Sequence, residues 1–372
     1  MMVEGNNWYE IQNAHQVATP ALLVYPERIT HNIKRMIEIA GDVNRLRPHV
    51  KTYKNAEIIR MQQAYGIEKF KCATIAEAEL LAQCEAKDVL IAMQLVGQNV
   101  DRFFELVKTY TATKFSMLVD DLEHAKLLCE VSSHNKVITP LWMDINVGMN
   151  RTGILPDESA QELFKFLSEN NHVQAMGFHV YDGHLRDSDF QQRKKQCDEC
   201  FQAVLQLKDE LSVQGISVDT IIAGGSPSFP IHALRQQVEL SPGTVLLWDA
   251  GYGKRFPEMQ MQQAAVLISR IISKPSQGVI TSDLGHKSIA PEMNFPRIKL
   301  LNAKDLEQVS QSEEHFVFNS DHWASYKIGD LIYGIPMHIC PTVAKYQHLQ
   351  VVKSGEVVGR WKVGARGQKI SI

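Results

Sequence analysis

The feature that most constrains the fold is a regular alternation of short apolar runs with amphipathic stretches between Ala21 and about Asp249. The apolar runs have the length of strands, and stretches such as Ile29 to Ala40 have helical periodicity. Strands that alternate with helices predict a parallel sheet, and eight candidates favour a (β/α)8 barrel over an open sheet. The predicted strands are Ala21 to Val24, Arg45 to Arg47, Lys71 to Thr74, Asp88 to Ala92, Phe115 to Val119, Leu141 to Ile145, Met176 to Val180 and Thr220 to Ala223.

The pattern changes after about Gly251, where short β runs are separated by turns rich in glycine, proline and asparagine. Lys353-Ser354-Gly355-Glu356 is typical of a hairpin turn between two such runs. We therefore predict a barrel domain over residues 18–252 and a second, mostly antiparallel β domain over 253–372. Residues 1–17 are expected to pack on the β domain.

Bulk composition excludes several classes of protein. The chain has 372 residues, of which 44% are hydrophobic, and a net charge of −3, which suits a globular protein of about two domains. This charge balance gives no indication of a nucleic-acid partner, and no apolar run approaches the ~20 residues needed to span a membrane. Six scattered cysteines argue against a disulfide framework, so we expect reduced thiols and a cytoplasmic protein.

Lys51 is the strongest candidate for chemistry. Pro48 biases the run Arg47 to Lys54 towards an extended conformation, which predicts a lysine at a strand end with His49 on the same face. A partly desolvated lysine in such a place is a credible Schiff-base nucleophile. The alternative is a surface charge that flanks a βα turn.

Further candidates follow the later strands, where a barrel carries its active site. Arg151 lies beside two glycines after the sixth strand, and Tyr181-Asp182-Gly183-His184 follows the seventh. Gly224-Gly225-Ser226 and Ser241-Pro242-Gly243-Thr244 offer the backbone N–H groups and hydroxyls that a phosphate needs. Two such turns downstream of a candidate Schiff-base lysine indicate pyridoxal phosphate.

The β domain contains the segment Met337-His338-Ile339-Cys340-Pro341. In an extended segment His338 and Cys340 point to the same side, so an imidazole and a thiolate can converge on one cation, and this pair favours zinc. Two protein ligands leave coordination positions open for water or substrate. The alternative is a buried cysteine beside an incidental histidine.

Together these residues resemble the D-threonine aldolase and D-serine dehydratase family of fold-type III pyridoxal phosphate enzymes, which is related in its barrel to alanine racemase. The resemblance covers nearly the whole chain. It is carried by Thr19 to Val24, the Arg-Pro-His-x-Lys-Thr run that ends at Thr52, Cys72 to Glu79 and His338 to Val343.

The resemblance implies a site. Lys51 would bind the cofactor covalently, Arg151 and Tyr181 would lie near it, and His338 with Cys340 would hold a divalent metal, zinc or manganese. The phosphate would be surrounded by Gly225, Ser226, Gly243 and Thr244. Family members are commonly homodimers, so a homodimer is expected here.

The resemblance also implies two alternative reactions of a D-β-hydroxy amino acid whose hydroxyl group the metal polarises. If His184 removes the hydroxyl proton, the Cα–Cβ bond breaks and gives glycine and an aldehyde. If Lys51 takes the α-proton, hydroxide leaves, and D-serine gives pyruvate and ammonia. The Tyr181 to His184 turn resembles that of the aldolases, whereas Cys340 stands where dehydratases have cysteine and aldolases often have aspartate. We favour the aldolase, with D-serine dehydratase as the alternative; the metal pair makes a racemase less suitable.

Overall fold

The computed structural model describes residues 7–372, and these divide into two compact units. One unit, called the β unit here, comprises residues 7–35, Thr52–Ile58 and Thr244–Arg366. The other, called the barrel unit, comprises Met36–Lys51, Ile59–Gly243 and Gly367–Ile372.

The described residues form the following strands and helices. The strands are β1 (Ala21–Val24), β2 (Lys69–Cys72), β3 (Asp88–Gln94), β4 (Lys114–Val119), β5 (Thr139–Ile145), β6 (Val173–Val180), β7 (Ile221–Ala223), β8 (Val238–Leu240), β9 (Ala265–Ser276), β10 (Val279–Ser282), β11 (Ile298–Leu300), β12 (Glu307–Gln311), β13 (Phe316–Asn319), β14 (Leu331–Pro336), β15 (His348–Lys353) and β16 (Glu356–Lys362). The helices are α1 (Pro26–Ala40), α2 (Ala56–Gln63), α3 (Ile75–Gln83), α4 (Gln98–Thr109), α5 (Leu122–Asn135), α6 (Glu158–Glu169), α7 (Phe190–Val213), α8 (Phe229–His232), α9 (Ala250–Arg255) and α10 (Ile339–Val343). None of these helices combines the length and apolar character that crossing a lipid bilayer requires.

The barrel unit contains a seven-stranded parallel sheet in the order β2 to β8. Single bridges from Leu46 to Leu240 in β8 and from His49 to Lys71 in β2 connect its two edge strands through residues 46–49. The interior is apolar where Leu90, Leu118, Trp142 and Ile222 pack together. The predicted α/β barrel fold is thus confirmed.

Two strand assignments are wrong. Ala21–Val24 has the apolar character of a barrel strand, but it pairs with β9 and β15 in the β unit. The strand missed by the sequence is Val238–Leu240, whose three residues are too few to show periodicity. The run Arg45 to Arg47 contributes only the bridge at Leu46, because a 3-10 turn, Val43–Arg45, precedes it.

The β unit is built on a nine-stranded, mostly antiparallel sheet, as predicted. Tyr9, Ile11 and Val17 belong to its core, together with Val266 and Ile335. The predicted hairpin is confirmed, because Ser354 and Gly355 have positive φ angles between β15 and β16, as a tight two-residue turn requires. The part of the N-terminal prediction that falls on residues 1–6 lies outside the described residues.

Candidate active site

A cavity of about 350 Å³ opens in the barrel unit at the carboxyl ends of β2 to β6, and its volume suits a small cofactor or substrate. The position follows from the strand pattern, because side chains two residues apart point to the same face. Asp144 is two residues beyond the buried Trp142, and His179, its register partner, is two residues beyond Gly177. The polar residues that line the cavity are His49, Lys51, Lys71, Gln94, Asp144, Arg151, Thr152, His179 and Tyr181.

Lys51 enters this cavity from a short 3-10 turn, Val50–Thr52, and not from the predicted strand end. The turn is fixed because the His49 N–H donates to the Pro242 carbonyl and the Lys51 N–H donates to His49 Nδ1 at 3.3 Å. Helix α2 begins directly afterwards, where the Asn55 side chain accepts the Ile58 N–H. The structure therefore places the predicted lysine in a cavity.

Tyr181 forms a wall of the cavity next to the predicted cations. The centre of its ring lies 5.7 Å from Lys51 Nζ and 4.8 Å from the Arg151 guanidinium carbon. A Cβ on Gly183 would overlap this ring, and a Cβ on Gly225 would lie 2.9 Å from its Cε2 atom. Both glycines are needed for the ring to occupy this place, so the structure brings Lys51, Arg151 and Tyr181 together.

The cavity also contains a buried group that the sequence did not reveal. The Asp144 carboxylate accepts from His179 Nδ1 at 2.6 Å, and His179 Nε2 lies 3.4 Å from Lys71 Nζ. Since the carboxylate fixes the imidazole proton on Nδ1, Nε2 accepts from Lys71. The visible signal in the sequence was Lys71 itself, a lysine at an inward position of a strand.

Burial controls the protonation of this group. It lowers the pKa of Lys71 to about 7, and the nearby positive charge of Lys51 acts in the same direction. Burial also lowers the pKa of His179, again with help from a neighbouring cation, Lys71. Burial alone would raise the pKa of Asp144, but His179, together with hydrogen bonds from Thr152 and Gln94, holds that pKa below its usual value.

The two predicted phosphate turns are joined by a hydrogen bond between Ser226 and Gly243. Ser226 Oγ accepts the Gly243 N–H at 3.2 Å, and the Gly225 N–H donates to Ser228 Oγ at 3.3 Å. Both N–H groups are thus paired with serine hydroxyls. Thr244, the next residue after Gly243, belongs to the β unit, where its hydroxyl contacts Cys340.

His184 is exposed and does not line the cavity. Its Nε2 atom lies 4.0 Å from the Cys200 sulfur. The preceding Asp182 anchors the turn, since its carboxylate accepts from Ser228 Oγ at 2.6 Å and from His232 Nε2 at 2.8 Å.

Asp182, Cys197 and His232 place their ligand-type atoms within 4.8 Å of one another. The donors around them nevertheless disfavour a metal. Arg235 donates to His232 Nδ1 at 3.0 Å, so the imidazole proton is on Nε2, where a metal would need a lone pair. Burial, followed by the charge of Asp182, raises the pKa of Cys197 to about 12, so the residue is a thiol in the metal-free protein. We interpret this cluster as a hydrogen-bonded anchor.

In the β unit, His338 precedes helix α10 and Cys340 lies in its first turn, so the expected extended segment is wrong. The two side chains still meet through a hydrogen bond. Burial alone would raise the pKa of Cys340, but His338 and the hydroxyls of Thr244 and Thr52 lower it below its usual value. Glu292 accepts from His338 Nδ1 at 2.6 Å, which leaves Nε2 as the nitrogen for a metal.

Comparison with known proteins identifies the family and the fold of the chain. Residues 24–250 match the family described as alanine racemase, N-terminal domain, and residues 264–352 match a putative serine dehydratase domain. The chain belongs to the first family, which covers more than half of its length. Its barrel and antiparallel sheet have the alanine racemase-like fold.

Several characterised relatives are similar over nearly their full length. A D-threonine aldolase from Arthrobacter sp. is 25% identical over 361 residues, which cover 95% of this chain and 93% of the relative. A D-serine dehydratase from Dictyostelium discoideum is 23% identical, with coverage of 92% and 96%. The crystal structure of D-threonine aldolase from Filomicrobium marinum superposes with a TM-score of 0.87 at 25% identity and covers 95% of this chain and 96% of its own.

Proposed function

We propose that this protein is a pyridoxal phosphate- and metal-dependent lyase of the D-threonine aldolase type, which cleaves D-β-hydroxy amino acids to glycine and an aldehyde. The observation that carries the proposal is the Lys51 amine in the cavity beside Tyr181 and Arg151. The full-length similarity to D-threonine aldolases supports the choice of reaction.

Pyridoxal phosphate supplies an electron sink that stabilises negative charge at the substrate Cα. Lys51 is proposed to hold it covalently, with Gly225, Ser226 and Gly243 around its phosphate. Arg151 and the Tyr181 ring would orient it, because they form the wall next to Lys51. Thr244, the residue after Gly243, is proposed to complete the phosphate site.

His184 is proposed to accept the proton of the substrate β-hydroxyl. Its turn is anchored by Asp182, two residues earlier, whose buried carboxylate accepts from His232 Nε2. Replacing His184 with glutamine is expected to slow cleavage while cofactor uptake remains unchanged. Unchanged turnover in this variant would remove His184 from the mechanism.

We propose that His338 and Cys340 hold the divalent metal, zinc or manganese, which supplies a Lewis acid for the β-hydroxyl. The support is the donor set: a thiol with a lowered pKa and an imidazole whose Nδ1 is engaged by Glu292. Metal analysis of His338→Gln and His232→Gln separates this pair from the Asp182 cluster. Loss of metal is expected only in His338→Gln, and the reverse pattern would move the site to the cluster.

Product identification tests the reaction. The protein is incubated with D-threonine and with D-serine, with and without a chelator. We expect glycine and acetaldehyde from D-threonine, and their loss with the chelator. Lys51→Ala should be inactive, whereas Lys87→Ala, a change at an exposed lysine of the same unit, should retain full activity. Keto acid and ammonia as the sole products would contradict the aldolase assignment.

Dehydration of D-serine is the second candidate function. It is favoured by the chemistry of Cys340, because the dehydratases that this chain resembles have cysteine at this position. In that case Lys51 would be the base that takes the α-proton. The same product assay decides between the two, since pyruvate from D-serine would identify the dehydratase.

We propose a cytoplasmic homodimer whose barrel domain spans residues 18–252 and whose β domain spans 253–372. The six cysteines are free thiols, which supports a reducing compartment. Light scattering of the purified protein tests the oligomeric state, and the mass of a single chain in solution would contradict the dimer.

A further inference from the structure

Lys71 is a buried lysine that faces the cavity from strand β2. Its exposed fraction is 2%, yet its side chain lines the same cavity as Lys51. The ammonium group has three hydrogen-bond donors. The contacts of Nζ within residues 7–372 are His179 Nε2 at 3.4 Å and the face of the Tyr181 ring, whose centre is 5.8 Å away.

The two carboxylates whose charges act on Lys71, Asp144 and Asp182, already accept hydrogen bonds from other residues. Asp144 accepts from His179 Nδ1 on one oxygen and from Gln94 Nε2, at 2.9 Å, on the other. Lys71 forms no ion pair with any residue in the described part of the chain. A buried cation without a counter-ion is costly, so this group is stabilised when an anion enters the cavity.

The surroundings select the type of anion. Lys51 and Arg151 line the same cavity, so Lys71 is a third cation there. In the proposed function Lys51 is bound to the cofactor, and Arg151 packs over the Tyr181 ring. Lys71 therefore has the N–H donors that are available to an anion. A carboxylate offers two oxygens in one plane, and it can accept from an ammonium group through charge-assisted hydrogen bonds.

We propose that Lys71 anchors a carboxylate subsite that binds a carboxylate group of the amino-acid substrate. The inference rests on the proposed function, since it places a D-β-hydroxy amino acid in this cavity. The carboxylate has two sources. Every amino acid supplies its α-carboxylate, and a dicarboxylic substrate such as 3-hydroxyaspartate supplies a second one on its side chain.

Equilibrium binding tests the subsite without turnover. The probes are 3-hydroxybutyrate, which is threonine without its amino group, and malate, which is 3-hydroxyaspartate without its amino group. Lacking an amine, neither probe can join the cofactor covalently. Their affinities are measured by calorimetry on the full chain loaded with pyridoxal phosphate, for the wild type, Lys71→Met and the control Lys87→Met.

We expect Lys71→Met to weaken binding by about 10- to 100-fold, as loss of a hydrogen bond to a charged group does. Equal weakening for both probes identifies the α-carboxylate as the partner, and weakening for malate alone identifies the side-chain carboxylate. Lys87→Met, an exposed lysine exchanged in the same way, should bind both probes like the wild type.

Two results would overturn the subsite. One is a Lys71→Met protein that melts like the wild type, takes up cofactor and binds both probes with unchanged affinity. The other is a wild-type protein that binds neither probe. Failure of the proposed function would show differently, as the absence of cleavage products from a protein whose Lys71 still controls carboxylate binding.

Discussion

Two buried aspartate–histidine pairs lie in the barrel unit, and they differ in which imidazole nitrogen meets the carboxylate. In the first pair Asp144 accepts from His179 Nδ1, and Nε2 faces Lys71 at the cavity. In the second pair Asp182 accepts from His232 Nε2, and Arg235 donates to Nδ1. The third partner therefore determines the role of each pair. We call the Asp144–His179 pair open, because its partner Lys71 faces the cavity, and the Asp182–His232 pair closed, because Arg235 occupies the remaining nitrogen.

The largest expected effect comes from breaking the closed pair. Asp182→Ala leaves His232 and Ser228 buried without their acceptor, so we expect the free energy of unfolding to fall by about 3 to 5 kcal/mol. Urea denaturation measures the change. Asp209→Ala, an exposed change on α7, should stay within about 0.5 kcal/mol of the wild type. A loss equally small in Asp182→Ala would show that the cluster is not an anchor.

The Asp144–His179 pair and Lys71 should make the free energy of unfolding depend on pH. The pKa of Lys71 is about 7 in the folded, cofactor-free protein and ~10.4 in the unfolded chain. Between these values the unfolded chain binds more protons, so the cost of burying Lys71 is fully present below pH 7 and is relieved as pH rises. Relative to Lys71→Met, the wild type should gain roughly 2 to 4 kcal/mol between pH 7 and pH 10.

Denaturation curves of the two proteins over this pH range check the prediction, with Lys87→Met as the matched lysine change at the surface. If the difference in the free energy of unfolding between wild type and Lys71→Met stays constant with pH, Lys71 keeps its proton over the whole range. That result would contradict a lowered pKa for Lys71.

A third histidine extends the comparison to the β unit. Glu292 accepts from His338 Nδ1, as Asp144 does from His179, and leaves Nε2 available. Carboxylates in this role typically raise metal affinity 10- to 100-fold, so Glu292→Gln should weaken metal binding by about that factor. Competition with a chelator measures it, and Glu307→Gln, an exposed change in β12, is the control. Unchanged affinity would separate Glu292 from the metal.

The smallest effect is expected when Arg235, the third partner of the Asp182–His232 pair, is replaced. Arg235→Gln takes the donor from His232 Nδ1 and should cost about 1 kcal/mol of stability. Nitrogen NMR of the His232 imidazole is the more specific readout. Both proteins should show the proton on Nε2, which Asp182 accepts, and the Nδ1 signal should shift in the variant because its donor is lost. An unchanged Nδ1 signal would mean that Arg235 does not donate to His232.

The sequence predicted those site residues that belong to recognisable local patterns. The sequence identified Lys51, Arg151 and Tyr181 because glycine-rich turns and an extended run are local patterns, and these side chains meet in one cavity. Pairing partners are not local, which is why Ala21–Val24 was assigned to the wrong sheet. Lys71 was not predicted as a site residue, because its place in the site depends on its burial against His179, a residue from another strand. His338 and Cys340 meet, but on a helix that the pattern did not indicate.

The central claim is that Lys51, and not the neighbouring Lys71, carries the cofactor. Borohydride reduction of the protein loaded with pyridoxal phosphate, followed by proteolysis and mass spectrometry, identifies the modified lysine directly. We predict that the phosphopyridoxyl group is found on the peptide containing Lys51 and that Lys51→Ala lacks it while Lys71→Met retains it. Modification of Lys71, or of neither lysine, would contradict the account.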